Sequence, residues 1–416
     1  MIRNLLFVAL SIVISSCCAG KQDNEQKCDP SAATSCCAVS EFGGIDSASL
    51  AVEILPQPVY PNGSPVAKWG KLKVAENKNG VRSLCDENGK PVQLRGVSSH
   101  GLQWSGVAAL TEANIKALKE QMKCSIVRIA LYVDEEGGYA YNRTLRSRTY
   151  PLVSGKDTCR GHIENVVKWC GENGIYCLID WHVHDPGNPQ HWKYRNRKYP
   201  ENVEGIDLAA DFFTYCARRF QNQKHVLYEL CNEPNDLENY QFKEKITWEE
   251  HVKPYCEDML KIIRHYDEEA IVICGSENWN GNLDQIIGNE PKDANGETYK
   301  NILYTFHFYA AFLPEESMEK LLKVTAHLPI FVTEWGTTHA DGRTDFRPDL
   351  SSQWLKILAG NNDGEQLISW INWSFSAEGG LSAILKWNSG NVAADFPHIL
   401  TESGKYVYEQ LKKAND

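Results

Sequence analysis

Two rhythms alternate along most of the chain. Apolar runs rich in β-branched and aromatic residues, "VQLRGVSS", "SIVRIALY", "YCLIDWH", "VLYELCNEP", "AIVICGSENW", "ILYTFHFYA", "PIFVTEWG" and "ISWINWSF", are eight in number. They are nearly continuous in apolar character, as buried parallel strands are. Between them lie segments with apolar positions three and four apart, such as "TEANIKALKEQM", "HIENVVKWCGENG", "DLAADFFTYCARRF", "EEHVKPYCEDMLKIIRHY", "SMEKLLKVTAH" and "SSQWLKILAG". Several open on Ser, Thr or Asp and close on Gly, the residues that satisfy the free backbone groups at helix ends. Strand and helix alternating eight times predict an α/β fold, a (β/α)8 TIM barrel. An open doubly wound sheet is the alternative, but no Gly-rich phosphate loop follows the first run. Ahead of that run, "KLKVAENKNGVRSLCDENGKPV" predicts a small N-terminal β-hairpin turning at "NKNG" and "DENGK".

The beginning of the chain has a different pattern. A basic start, "MIRN", the apolar run "LLFVALSIVI" and the small residues "SSCCAG" have the layout of a secretory signal over residues 1–17, too short to span a bilayer. "VISSC" resembles a bacterial lipobox, which makes Cys17 a candidate for lipidation and membrane attachment. Residues 18–68 are rich in Ser, Ala, Pro, Gly and Cys without periodicity, and are expected to be a linker between this anchor and a catalytic body at 69–416. Export permits disulfides among the 14 cysteines, of which Cys17, Cys18, Cys28, Cys36 and Cys37 precede the body and nine lie between Cys85 and Cys274. Their spacing assigns no pairs and matches no zinc pattern. The balance of 42% hydrophobic and 23% charged residues is ordinary for a globular protein. A net charge of -11 without a long basic run speaks against a nucleic-acid partner. A monomer is expected.

In a barrel of this kind, chemistry collects where strands end. Polar residues gather there: Arg128 in the second run, Trp181 and His182 ending the third, Asn232 and Glu233 ending the fourth, His307 and Tyr309 in the sixth, Glu334 in the seventh and Trp373 in the eighth. Each alone is more often a hydrogen-bonded core group than a catalyst; together they predict one polar mouth. Two acids there, Glu233 and Glu334, suit glycoside hydrolysis, in which one carboxyl group protonates the leaving oxygen and the other attacks the anomeric carbon. Spacing alone does not separate them from Asp180, Asp185, Glu229 and Glu277, which also lie near strand ends. The 12 Trp and 18 Tyr offer flat surfaces for sugar rings, although core packing is the commoner use of any one of them.

The motifs "RGVSSHGLQW", "VRIALY", "LIDWHVHDPGNP", "YELCNEPN", "YTFHFYA", "FVTEWGT" and "WINWSF", in this order, resemble glycoside hydrolase family 5, and within it the bacterial-type endo-β-1,4-glucanases. The resemblance runs from about Lys71 to the last helix, "SGKYVYEQLKKA". It implies Glu233 as general acid/base and Glu334 as nucleophile of a retaining double displacement, with Arg128 and Tyr309 holding Glu334 ionised. It implies that Asn232 binds the sugar 2-hydroxyl, that His182 and His307 line the reacting subsite and that Trp373 lies beneath the sugar. By the same resemblance His100, Trp104 and Tyr132 flank the glycone side and Trp279 the leaving-group side. The partner implied is a β-glucan polysaccharide, with no cofactor and no metal. Mannan, xyloglucan and mixed-linkage glucan are alternative substrates, and a non-catalytic glycan-binding protein is a further alternative.

Two departures stand against this pattern. "SAEGGLSAIL" places Glu378 near where relatives often carry a lysine that reaches a distal glycone sugar, and the long loop "HVHDPGNPQHWKYRNRKYPENVEG" is expected to be solvated, with Trp192 and Tyr194 as residues that could extend a cleft. "HVH", His182 to His184, also suggests a metal hydrolase, but the fifth run lacks the histidine and the eighth the aspartate that such a site requires.

Overall fold

The computed structural model describes residues 44–133, 137–140, 155–191, 194–195, 206–236, 245–360, 367–378, 380–386 and 392–413. The signal sequence, Cys17 with its expected lipid, the other cysteines before residue 44 and Trp192 lie outside them. The predicted hairpin is present as β1 Lys73–Glu76 paired with β2 Arg82–Cys85. Eight parallel strands then close into a barrel: β3 Arg95–Ser99, β4 Ile126–Tyr132, β5 Tyr176–His182, β6 Val226–Glu229, β7 Val272–Cys274, β8 Ile302–Tyr309, β9 Ile330–Gly336 and β10 Ser369–Phe375, with β10 paired to β3. Each strand lies inside one of the eight predicted runs. The six predicted helices appear as Glu112–Glu120, Gly155–Asn173, Leu208–Phe220, Lys253–Tyr266, Glu316–Thr325 and Pro348–Leu358, followed by Glu402–Lys412. Thr111, Asp207 and Thr401 cap three of them through side-chain oxygens.

Two apolar cores follow from the period-2 geometry of the strands. Val127, Ile129 and Leu131 of β4, like Cys177, Ile179 and Trp181 of β5, face the helices in one cluster. Ile126, Leu178, Leu227, Ile273, Leu303, Phe331 and Ile371 fill the barrel interior in a second. The hairpin and its flanks add Leu72, Leu84, Val92 and Leu94 to that interior cluster and seal its floor. Full burial stabilises each of these side chains by roughly 1.5–3 kcal/mol, and the seal keeps water from the polar residues above.

The linker boundary needs correction. From residue 44 to 68 the chain lies on the barrel rather than apart from it. Ser49 is buried and donates to Asp211 Oδ1 at 2.6 Å, while Arg160 reaches Asp211 Oδ2 at 2.8 Å and Ser49 Oγ at 2.6 Å. Further along, Leu55 N donates to Arg219 O at 2.8 Å and Val66 N to Gly174 O at 2.9 Å. Small and polar composition here reflects a strap built on hydrogen bonds. The nine cysteines from Cys85 to Cys274 are all buried free thiols, used as small apolar side chains. No helix among the described residues is long and apolar enough to cross a membrane.

Asp211 is fully buried and Arg160 is its guanidinium partner. Replacing Arg160 with Ala leaves that carboxylate only the more distant Lys156, at 3.8 Å, and a loss of up to about 3–5 kcal/mol is expected from chemical denaturation curves.

Candidate active site

Strand parity stacks the interior in layers. On β4, Arg128 stands one pleat above Ile126; on β5, Asp180 and His182 stand above Leu178; on β6, Glu229 stands above Leu227; on β8, Thr305, His307 and Tyr309 stand above Leu303. Strict alternation would send Glu334 outward with Val332. A register shift between the Thr305–Phe331 and His307–Glu334 pairs prevents this, so that both Thr333 and Glu334 face inward. Strand β6 ends at Glu229, earlier than expected, and Asn232 and Glu233 sit on the irregular segment that follows. That segment is held by Asn232 N donating to Trp181 O and Glu233 N to Val183 O, each at 3.3 Å.

Arg128 is fully buried at the centre. Its Nε donates to Glu229 Oε2 at 2.7 Å, Nη1 to Glu334 Oε2 at 3.0 Å and Nη2 to Asn232 Oδ1 at 2.6 Å, with Asp180 Oδ2 at 2.9 Å. Tyr309 donates to the other oxygen of Glu334 at 2.8 Å. Gly336 makes this contact sterically accessible, since a Cβ there would stand 2.4 Å from the Tyr309 ring. His307 Nδ1 meets Glu233 Oε1 at 2.8 Å, and its Nε2 meets Thr333 Oγ1 at 3.0 Å. Thr333 in turn donates to Glu229 Oε1 at 2.5 Å.

The charges follow from this geometry. Burial alone would lower the Arg128 value, but Asp180, Glu229 and Glu334 outweigh it and hold the guanidinium charged. Burial pushes Asp180 well above the usual carboxylate range. For Glu229 burial is overridden, chiefly by Arg128, and its value is lowered. Burial raises Glu334, partly offset by His307, Arg128 and the Tyr309 hydroxyl. His182 is driven well below its ordinary value by burial and then by Arg128, so it is neutral. Burial opposes a charge on His307, yet Glu229 and Glu233 raise it to about 9.

Above this network opens a cavity of about 570 Å³. His100, Tyr132, His182, Asn232, Glu233, Trp279, His307, Tyr309, Glu334 and Trp373 of the expected set line it, and Arg128 lies beneath. Trp104 is not on its wall: its ring packs 4.9 Å from Tyr132 and 6.0 Å from His100. His182 stacks on Trp373 at 5.4 Å and Tyr132 lies 4.1 Å from His182, forming one aromatic floor. Asp180 and Glu229, which spacing left level with the two glutamates, are the buried partners of Arg128; Glu277 does not line the cavity. Tyr194 does not extend the cleft, because it is buried and donates to Pro186 O at 3.0 Å.

Of the other residues that line this wall, two bear on the chemistry. Phe312, 54% exposed, follows β8 and, with Trp279 at 38%, makes an aromatic rim. His184 Nε2 lies 3.8 Å from Glu233 Oε2. An exposed Phe in a loop carries no sequence signal, whereas His184 is visible in "HVH" and its neighbour is not. A second cavity, of about 430 Å³, shares His100, Tyr309 and Trp373 with the first and adds Glu378, whose Oε2 is 3.0 Å from His100 Nδ1.

The sequence matches the family profile described as "Cellulase (glycosyl hydrolase family 5)" over residues 85–379. It is 31% identical to Endoglucanase E-5 of Thermobifida fusca, over 84% of this chain and 65% of that protein. It is 32% identical to Cellulase CelDZ1 of a Thermoanaerobacterium species, over 82% of each. The chain thus spans about two thirds of the length of the Thermobifida relative and more of the other. Among solved structures, Cellulase Cel5C_n superposes with a TM-score of 0.67 at 34% identity, covering 85% of this chain and 95% of that one. The catalytic domain of Thermobifida fusca endoglucanase Cel5A superposes at 0.66 with 28% identity, covering 84% and 100%, and a Glu-to-Gln variant of that domain has been solved in complex with cellotetraose. With the barrel, the paired glutamates and this match over well more than half its length, the chain belongs to glycosyl hydrolase family 5, the cellulase family.

Proposed function

We propose that the protein is a retaining endo-β-1,4-glucanase that cuts internal bonds of cellulose-like β-glucans by double displacement. The observation that carries this reading is a distance: one carboxyl oxygen of Glu233, one of Glu334 and a ring nitrogen of His307 all lie within 4.8 Å of one another. A gap of about 5–5.5 Å between carboxyl groups suits direct attack on the anomeric carbon, whereas about 6.5–9.5 Å leaves room for a water and inverts it. Glu334, held by Arg128 and Tyr309, is the nucleophile. It bonds to the anomeric carbon as the glycosidic C–O bond breaks, and Glu233 gives its proton to the departing oxygen. Water then attacks the same carbon, Glu233 takes a proton from it, and Glu334 leaves with the configuration retained.

The hydrogen-bond chain supplies the proton. Thr333 commits its hydroxyl hydrogen to Glu229, so at its oxygen it accepts from His307 Nε2–H. His307 Nδ1 therefore either donates to ionised Glu233 or accepts from protonated Glu233, and the pair holds one proton between them. The aromatic floor of Trp373 and His182 lies under the sugar, Asn232 meets its 2-hydroxyl, and Trp279 meets the leaving-group side. His100, Trp104 and Tyr132 shape the glycone side, Trp104 through its packing. The leader at residues 1–17 supports export, with Cys17 as the candidate anchor.

Replacing Glu233 with Gln is expected to slow hydrolysis of mixed-linkage glucan about 10²–10⁴-fold, and replacing Glu334 with Gln to abolish it. Reducing-sugar release from carboxymethylcellulose, mixed-linkage glucan, xyloglucan and mannan, with product lengths followed over time, reads both the assignment and the preferred chain. Undiminished activity in either variant removes that residue from its role, and an inert wild type on every soluble glycan favours the binding-protein alternative.

His307 also carries a stability sign. Its folded value of about 9 exceeds the unfolded 6.5, so its contribution is fully present below about pH 6.5 and is lost as pH rises through about 9. Thermal midpoints across that window are expected to fall more steeply for the wild type than for a His307→Gln variant.

A further inference from the structure

The turn that carries Trp279 has an unusual backbone. Asn278, Trp279 and Asn280 are three consecutive non-glycine residues with positive φ, 58°, 53° and 64°. Asparagine tolerates this region through local hydrogen bonding, but tryptophan does not favour it. Such strain persists where surrounding bonds over-determine it, and those bonds show what the turn is fastened to.

They lead to the segment bearing Glu233. Trp279 N donates to Pro234 O at 3.0 Å. Asn280 is fully buried, and both ends of its amide are used: Oδ1 accepts from Ser276 N at 2.9 Å, and Nδ2 donates to Asn232 O at 2.6 Å. The two partners differ in kind, a donor and an acceptor, which fixes the orientation of the amide. Gly275 lets the elements come this close, since a Cβ there would lie 2.7 Å from Asn280 Oδ1 and 2.9 Å from Cys231 O.

Asn232 O belongs to the peptide plane that leads into Glu233. The N–H of the same plane donates to Val183 O at 3.3 Å. The plane is thus held from both sides, by Asn280 and by the chain after β5, and its tilt sets the direction in which the Glu233 side chain leaves the backbone. Through the neighbouring bond to Pro234, the same turn sets the height of the Trp279 ring, which lines the cavity 38% exposed.

We propose that Asn280 is a positioning residue for acid catalysis: it locks the peptide carrying Glu233 to the turn carrying Trp279, so that a sugar stacked on Trp279 presents its glycosidic oxygen to the Glu233 carboxyl group. This rests on the glycosidase reading above. The amide itself touches no substrate. Its effect is on registration: the proton donor and the platform for the group receiving the proton are fixed to each other rather than separately to the barrel. Glu334 keeps its own donors, Arg128 and Tyr309, and is linked to this bond only indirectly, through the contact of Arg128 with Asn232 Oδ1 at 2.6 Å.

The dependence on leaving group separates this role from a general loosening. Two variants are compared with wild type. Asn280→Gly removes the amide and accepts the positive φ without strain, and Asn280→Asp keeps shape and backbone preference but sets a carboxylate oxygen against Asn232 O. Hydrolysis of cellotetraose, whose leaving alkoxide needs a proton, is expected to fall about 10²-fold in both. The first-turnover burst of dinitrophenolate from 2,4-dinitrophenyl β-cellobioside, which departs without a proton, is expected to fall at least tenfold less. The Glu233→Gln variant serves as the reference for such a split. Equal losses on the two substrates, or undiminished cellotetraose hydrolysis, overturn the role of Asn280. A wild-type protein inert to both substrates overturns the glycosidase reading itself.

Discussion

A guanidinium with no contact to solvent, set among three carboxylates, is the constraint that organises this protein. Arg128 holds Glu229, Glu334 and Asp180 from three different strands and also fixes Asn232, the residue before the second key acid. A buried cation of this kind is tolerated only when each donor is used and the surrounding charge balances it. That requirement determines which side chains face inward at mid-height; burial raises Asp180 against the pull of Arg128, whereas at Glu229 Arg128 overrides burial and the value is lowered. The apolar layer beneath, closed by the hairpin at residues 73–85, keeps the network in a low dielectric, where its hydrogen bonds direct charge strongly.

The two glutamates then differ by environment alone. Glu334 accepts from Arg128 and Tyr309, two donors that favour its ionised form, whereas Glu233 faces His307 and the proton chain through Thr333 to Glu229. In the mechanism proposed above, two identical side chains take opposite tasks because one is tied to a fixed cation and the other to a movable proton. The same principle extends outward. Trp373, His182 and Tyr132 pack against one another as an aromatic floor, while Glu378 and His100 give the adjoining cavity a polar wall. Loops set that wall, and loops are where members of one fold family diverge in what they accept.

The rest of the body packs around the barrel that carries this mouth. Residues 44–68 strap the outside of the barrel through the buried Ser49–Asp211–Arg160 cluster, and the strap belongs to the folded unit rather than to a tether. Buried thiols from Cys85 to Cys274 fill gaps between strands and helices without bridging them. The glycines that matter most, Gly336 against the Tyr309 ring and Gly275 against Asn280, stand where a side chain would push the segments around the cavity apart.

Much of this is legible in the amino-acid order. Eight apolar runs with capped helices between them determine parallel strands covered on both faces, and the lack of a Gly-rich loop after the first run favours a barrel over an open sheet. The same order nominates Glu233, Glu334, Arg128, His307 and Tyr309, because a polar side chain at the end of a buried strand must meet either a hydrogen-bonding partner or a ligand. Composition misleads at residues 44–68, where a hydrogen-bonded strap and a solvated linker use the same small and polar residues. Periodicity does not foresee that β9 slips its register and turns Glu334 inward, nor does it rank Asp180 and Glu229 as support rather than chemistry. Tertiary structure alone decides those points, and the place of Asn280, because each depends on which atoms meet across strands far apart in sequence, and a one-dimensional pattern records the facing of a residue but not its partner.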